Sequence, residues 1–339
     1  MRVMEFSEMA EQVSSDNRLN VDLPCSLAEL EFRVDPDETC NQFKAVVPGE
    51  GPLVMEDWAA SQLARRLKIP YEFLSSRCSP GLAQQIIDHF MSLQAPRAVL
   101  LRLRRTDDGM RVRAMLPASW SCFDNVDFLE LVDGVVDEYG MKVQRYQIGK
   151  VAFYCRLLFP ENVDAGSPGE PDPHNFGVFF RNSEVGFGVP EAQFTMVRQI
   201  CSNGLMGMTG ESIMRLHQSS LNSLRKGRLV GRFRNGLRKN LSQCGSIVDT
   251  IRSARRKKLG VEDVAAQLSQ IHNQYGLSKR NLDIVREAFI QESNGVRTRE
   301  TTAFTLASAF NRAAQHLPGE ESIKYETAAW RFMSRNGQN

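Results

Sequence analysis

Between Val99 and Leu116 the run LLRLRRTDDGMRVRAML alternates apolar and polar residues with a period of two, and Asp108-Gly109 stands at its centre. Successive side chains of a strand point to opposite faces, and Asp-Gly accepts the positive φ values of a two-residue turn, so the segment predicts an antiparallel hairpin. It is the clearest local structure in the chain. With the turn at those two residues, Leu101, Leu103, Val112 and Ala114 share one apolar face, while Arg102, Arg104, Arg111 and Arg113 share the other. Four guanidiniums on the wet side of an antiparallel sheet serve solubility or bind phosphates, and the pattern admits both.

The segments around the hairpin alternate in kind. ELEFRV and NQFKAVV read as short strands, VMEDWAASQLARRL as a helix closed by Pro70, and Pro80 to Leu93 as a helix capped by Ser79. DNVDFLELVDGVVDEYG opens at a capping Asp124 and repeats Phe128, Leu131, Val132, Val135 and Tyr139 at helical spacing, which predicts an amphipathic helix packed on a sheet. Residues 141–159 return to strands, with Val151, Phe153, Cys155, Leu157 and Phe159 alternating inward. NVDAGSPGEPDPHN reads as an exposed, mobile loop, Phe176 to Phe180 as a further strand, and the chain from about Pro190 as helical. Beyond Gln243 three more helical stretches follow. The expected fold is α+β: antiparallel β-hairpins with a packed amphipathic helix, followed by a helical C-terminal region. Its divisions are a mixed N-terminal scaffold over 1–95, an α+β core over 96–245 and the helical region over 246–339.

Charge is distributed unevenly. The net charge is only +2, yet no Asp or Glu occurs between Ser212 and Val248, where Arg215, Arg225, Lys226, Arg228, Arg232, Arg234, Arg238 and Lys239 all fall. A second basic knot follows at Arg252, Arg255, Arg256, Lys257 and Lys258. A solvated helix face usually alternates sign to form i to i+4 pairs, and this run has no acid with which to do so. Lys and Arg release condensed counterions when they meet phosphates, so the run points to nucleic acid regardless of base sequence. Gly227, Gly231 and Gly236 weaken a helix here by about 1 kcal/mol each, so part of the run reads as a loop that orders on DNA. Lys142, Arg145, Tyr146, Lys150, Tyr154 and Arg156 add charge for phosphates, and rings that serve either the core or base stacking.

Other chemistry lacks its signatures. The seven cysteines are scattered without a C-x-x-C pair, and the five histidines show no ligand spacing, so neither disulfides nor a metal site is expected. The glycines near Asn182-Ser183-Glu184 fit no phosphate-cradling motif, and no nucleophile elbow occurs; the sequence predicts no enzyme and no cofactor. That Asn-Ser-Glu stretch reads as a tight turn whose Ser and Glu cap backbone groups. No run reaches the roughly 18 apolar residues of a membrane span, and the acidic start MRVMEFSEMAEQV argues against export. The expected setting is the cytoplasm.

GVFFRNSEVGFGVPEAQFTMVRQICSNGLM (177–206) resembles the signature of the phage/plasmid-like proteins, domain-of-unknown-function family 932. The family pattern is a strand, an N-S-E-V-G turn and a helix ending in C-x-N-G. Asn182, Ser183, Glu184, Val185 and Gly186 match the first part, and Cys201, Asn203 and Gly204 the second. The run from Trp58 to Pro70 and the segment from Phe304 to Ala314 agree with it as well. The resemblance implies a mobile-element setting and no particular activity. A fold-level likeness, by analogy alone, is to the single-strand annealing recombinases of phages. The expected function is a single-stranded-DNA-binding protein that promotes annealing of complementary strands in recombination, acting as a ring- or filament-forming homo-oligomer. The alternative is a mobile-element regulator or anti-defence factor that binds duplex DNA or a host protein. The candidate nucleic-acid contacts are Arg102, Arg104, Arg111, Arg113, Lys142, Arg145, Arg156, Arg225, Lys226, Arg228, Arg232, Arg234, Arg238 and Lys239.

Overall fold

The computed structural model describes residues 5–37, 40–167, 169–199, 204–206, 212–216, 226–260, 263–293, 301–317 and 319–337. Two six-stranded sheets organise them, and the fold is α+β with a helical C-terminal region. The first sheet is built from β1 (Asn20–Ser26), β2 (Glu31–Pro36), β3 (Asn41–Val47), β4 (Gly51–Met55), β5 (Ala98–Thr106) and β6 (Gly109–Pro117), in the order β1-β5-β6-β4-β3-β2. Pairing is antiparallel except between β4 and β6. Pro24 and Pro36 lie on the two edge strands, where a missing N–H leaves no ladder bond unmade. Helices α2 (Asp57–Leu67) and α3 (Pro80–Ser92) cover one face of this sheet. Ser79 caps α3 by accepting from the Leu82 N–H at 3.4 Å.

The second sheet holds β7 (Lys142–Ile148), β8 (Phe153–Asp164), β9 (Pro173–Asn182), β10 (Glu191–Arg198), β11 (Gly204–Met206) and β12 (Ser212–Arg215). Its path is β11-β10-β9-β8-β7, with β12 also paired to β10. Phe153, Cys155, Leu157, Phe176, Val178, Phe180, Phe194 and Met196 alternate into a core shared with α4 (Asn125–Glu138) and the C-terminal helices. Those are α5 (Lys226–Leu241), α6 (Cys244–Arg256), α7 (Val264–Gln274), α8 (Leu282–Ser293), α9 (Ala303–Ala314) and α10 (Gly319–Gly337). The first helix, α1 (Phe6–Asn17), crosses to this half and buries Phe6, Met9 and Val13 in the same core.

Five expectations are corrected. The hairpin expected to open the 96–245 core instead completes the first sheet, beside strands drawn from residues 20–55. Its turn is Asp107-Asp108, because Thr106 pairs with Gly109, whose φ of +111° a glycine accepts without strain. A bulge then sets Leu103 opposite Val112 and Arg102 opposite Ala114, leaving Arg113 as the extra residue. Ala114 is thereby turned away from Leu101, Leu103 and Val112 and into a small third cluster with Leu116, Val185, Trp58 and Phe187, between the two sheets. The segment after Pro190, expected as helix, is strand β10: Ala192, Phe194 and Met196 alternate inward with Gln193 and Thr195 between them, the period of two of a strand. In the stretch expected as an exposed loop, Gly169, Glu170 and Pro171 are exposed, whereas Ala165, Gly166 and Asp172 are buried. Asp164 Oδ1 accepts the N–H groups of Gly166 and Asp172 at 2.9 and 2.8 Å, and Asp172 is buried against Arg198 and Arg255.

Candidate nucleic-acid interface

Where it is described, the acid-free run comprises strand β12 (Ser212–Arg215), helix α5 (Lys226–Leu241) and the start of α6 at Cys244. Leu229, Phe233, Leu237 and Asn240 recur at helical spacing and are buried, so the packing of this apolar stripe outweighs the low propensity of three glycines. The expected loop is therefore absent from 226–241, and Gly236 has a positive reason to be there. A Cβ at that position would lie 2.2 Å from the Ile213 carbonyl oxygen, so only glycine allows α5 to press against β12. With the apolar stripe turned inward, Arg228, Arg232, Arg238 and Lys239 are exposed. Positions 228, 232 and 239 follow i, i+4 and i+11 and share one stripe. Arg228, Arg232 and Arg238 make no ion pair with any described residue, whereas Arg234 donates to Glu138 Oε2 at 2.9 Å. Arg256, at the end of α6, is exposed as well. Lys226 is the first residue of α5, and Arg225 lies outside the described residues, as do Cys201 and Asn203.

The hairpin arginines are placed differently, and the expectation of a wet guanidinium face is not met. Arg102 is 2% exposed: its Nε donates to Asp22 Oδ1 at 2.8 Å, and Nη1 and Nη2 donate to the two Asp124 oxygens at 2.6 and 3.1 Å. Burial opposes its charge, yet the Asp124 and Asp22 carboxylates outweigh burial and raise its pKa. Arg113, also buried, donates to Glu184 Oε2 at 3.0 Å. Arg104 is half-buried against Asp16, and Arg111 reaches Asp108 beside the turn at 3.3 Å. Arg102 and Arg113 form an internal seam between the two sheets, while Arg111 stays at the surface. Phosphate access there would require the seam to open.

Glu184 is the centre of that seam. Its Oε2 accepts from Arg113 and from Asn20 Nδ2 at 3.3 Å, and its Oε1 accepts the N–H of Asn125 at 3.0 Å, at the start of α4. The Glu184 carbonyl accepts from Arg102 Nη1 at 2.9 Å. Beside it, Ser183 Oγ accepts from the Phe187 N–H at 2.9 Å, and the Val185 carbonyl accepts from Trp58 Nε1 and Gln62 Nε2 at 2.8 and 2.9 Å. The Asn-Ser-Glu turn therefore fastens one sheet to the other. Its partners Asn20, Arg102, Arg113 and Asn125 are far away in sequence, and no local pattern announces them.

Lys142 and Arg145 are partly exposed and paired with Glu5 at 2.7 Å and Glu326 at 3.3 Å. Arg156 is fully buried and also held by Glu326; burial lowers its pKa and the Glu326 charge only partly offsets that. It cannot line an open groove, which corrects its expected role. Tyr154 stacks on Phe179 with ring centroids 6.1 Å apart, and the Tyr146 hydroxyl donates to Gln12. Of the candidate contacts, Arg228, Arg232 and Arg238 of α5 are exposed and make no ion pair among the described residues. Among the described residues no group of three His, Cys, Asp or Glu side chains would hold a metal ion, and no helix is long and apolar enough to cross a membrane.

The fold and this surface define an α+β protein of two sheets with one basic helical face. Family models, curated proteins and solved structures offer no match to the chain.

Proposed function

We propose that this protein binds single-stranded DNA through the exposed cations of α5 and, as a cytoplasmic homo-oligomer of phage or plasmid type, promotes the annealing of complementary strands. The observation that carries the reading is the contrast within the molecule. Arg102, Arg113 and Arg156 are neutralised internally, while Arg228, Arg232 and Arg238 stand in solvent on a helix that contains no acid. Guanidiniums in that setting gain from contact with phosphates through counterion release, without reading base edges. Annealing suits such a surface: backbones are held, Watson–Crick edges stay free, and no bond is made or broken.

The test is charge reversal of Arg228, Arg232, Arg238 and Lys239 to Glu, with retention of a labelled single-stranded oligonucleotide followed across salt concentrations. Retention at low ionic strength is expected to vanish. In single variants the slope of log affinity against log salt falls by about 0.7 for each phosphate that is no longer neutralised. Unaltered retention in the quadruple variant rules the reading out. A loss confined to duplex DNA transfers the surface to the regulator reading, and an annealing rate equal to that without protein removes the annealing role.

A further inference from the structure

The large apolar side chains that stand in solvent are concentrated in one part of the molecule. Of the six such residues among those described, four, Phe73, Leu82, Phe90 and Leu93, lie within residues 73–93. Leu82, the half-buried Ile86, Phe90 and Leu93 follow i, i+4, i+8 and i+11 along α3 and its C-terminal cap, so they form one stripe. Leu82 is 47% exposed, Phe90 36% and Leu93 66%. The adjoining residues Ala83 and Ile87 are buried on the first sheet. The apolar arc of α3 is thus wider than the sheet covers, and a helix packed on one side only has no use for the surplus.

The same helix closes the sheet edge beneath it. Gln84 Oε1 accepts the Val34 N–H and its Nε2 donates to the Phe32 carbonyl, both at 2.8 Å, and Pro36 at the end of β2 has no N–H to offer. With those backbone groups taken, an incoming strand has little to pair with at β2, and the exposed stripe of α3 is what this rim of the molecule presents.

Charge and symmetry select the occupant. Between Leu82 and Leu93 the sole Asp, Glu, Lys or Arg is Asp88, which lies on the opposite side of the helix and accepts from Gln84 Nε2 at 2.8 Å. A surface without Lys or Arg has nothing to neutralise DNA phosphates. A second copy meets it without opposing like charges. The stripe is also close to palindromic: antiparallel packing about its midpoint sets Leu82 beside Leu93 of the other copy and Ile86 beside Phe90, the isologous contact of a two-fold axis. Area sets the strength. The stripe exposes about 300 Å² of apolar surface, where a standard stable interface takes about 800 Å² from each partner. Such a contact is weak between free chains and becomes effective when two copies share one strand, because each raises the local concentration of the other.

We propose that α3 is a self-association surface, through which two copies of this chain pack stripe against stripe. The contact rests on the homo-oligomer part of the proposed function, for which it supplies an interface, and it does not involve α5.

The test is sedimentation of the full chain over a wide range of concentration, alone and on an oligonucleotide long enough for two copies. The average mass of wild type is expected to rise from one chain toward two, and to do so at lower concentration on the oligonucleotide. Leu82→Glu combined with Leu93→Glu should weaken association at least tenfold. Both positions are exposed, so the melting temperature of this double variant and its retention of the oligonucleotide as a single copy should match wild type. Ile290→Glu, the same kind of change at a 70% exposed position on α8, should associate as wild type does. An oligomer that the double variant forms as readily overturns this contact and leaves the homo-oligomer reading standing on another interface. A wild-type chain that stays single under every condition overturns both. Equal weakening by Ile290→Glu, or capture of wild type by uncharged phosphatidylcholine vesicles without self-association, also overturns the contact. Where the oligonucleotide is not retained at all, the α5 reading fails and the free chain still decides the contact.

Discussion

Glu184 shows how much a single carboxylate can hold in place when its partners come from separate elements. It accepts from Arg113, Asn20 and the first N–H of α4, all within the seam. Breaking a buried pair by removing one partner leaves the other charge uncompensated and costs about 3–5 kcal/mol. Glu184→Ala is therefore expected to lower the unfolding free energy measured in urea by that much, with Glu184→Gln in between because it keeps the shape and part of the bonding. His174 gives a second residue-scale expectation. It is buried, its Nδ1 lies 2.8 Å from the Asp172 carbonyl, and its pKa is pushed down to about 3, first by burial and then by the charge of Arg198. The unfolded chain protonates such a ring near pH 6.5 and the folded chain does not. Between those two values the unfolded state binds more protons, so stability is complete above about pH 6.5 and is lost on acidification towards pH 3. Carboxylates contribute a slope of the same sign in acid. The comparison is thus between wild type and His174→Gln: unfolding midpoints from pH 7 to 4.5 should fall less steeply in the variant, and identical slopes contradict the assignment.

At the scale of the element, α5 is decided by its two faces. Its apolar stripe makes it a helix despite Gly227, Gly231 and Gly236, and its outer stripe carries the candidate phosphate contacts. The glycines are not equivalent. A Cβ at Gly231 meets nothing within 4 Å, while one at Gly236 runs into the Ile213 carbonyl. Gly231→Ala should raise stability by about 0.5–1 kcal/mol, by removing the conformational freedom glycine has in the unfolded chain. Gly236→Ala should lower it by about 1–3 kcal/mol, since α5 must move off β12. Chemical denaturation of the two variants in parallel checks both signs. The hairpin carries a related lesson. Its alternation is legible, but the bulge at Arg113 inverts the face of Ala114, because an extra residue in one strand shifts every later side chain to the opposite side.

Across the whole molecule each sheet has its own core, and a thin third cluster joins them. What couples the halves is the seam: Arg102 with Asp22 and Asp124, Arg113 with Glu184, and Trp58 and Gln62 on the Val185 carbonyl. Loosening that clamp with Trp58→Ala and Gln62→Ala together is expected to separate their unfolding. Amide hydrogen exchange in the first sheet should then rise well ahead of that in the second, whereas uniform acceleration across both would show that the halves remain one cooperative unit.

The sequence by itself determined the elements whose signal is local: the hairpin at 99–116, the capped helices at 80 and 124, the α+β class and the acid-free basic run. It did so because side-chain periodicity and capping act over a few residues. Tertiary structure alone decided which cations are free. Asp16, Asp22, Asp124, Glu184 and Glu326 neutralise arginines from which they are separated by up to 181 residues, so Arg102 and Arg113 on the face that reads as wet are sealed while Arg228, Arg232 and Arg238 of α5 stay exposed. Charge composition is written along the chain, but neutralisation depends on distance in space, and only folding sets that distance.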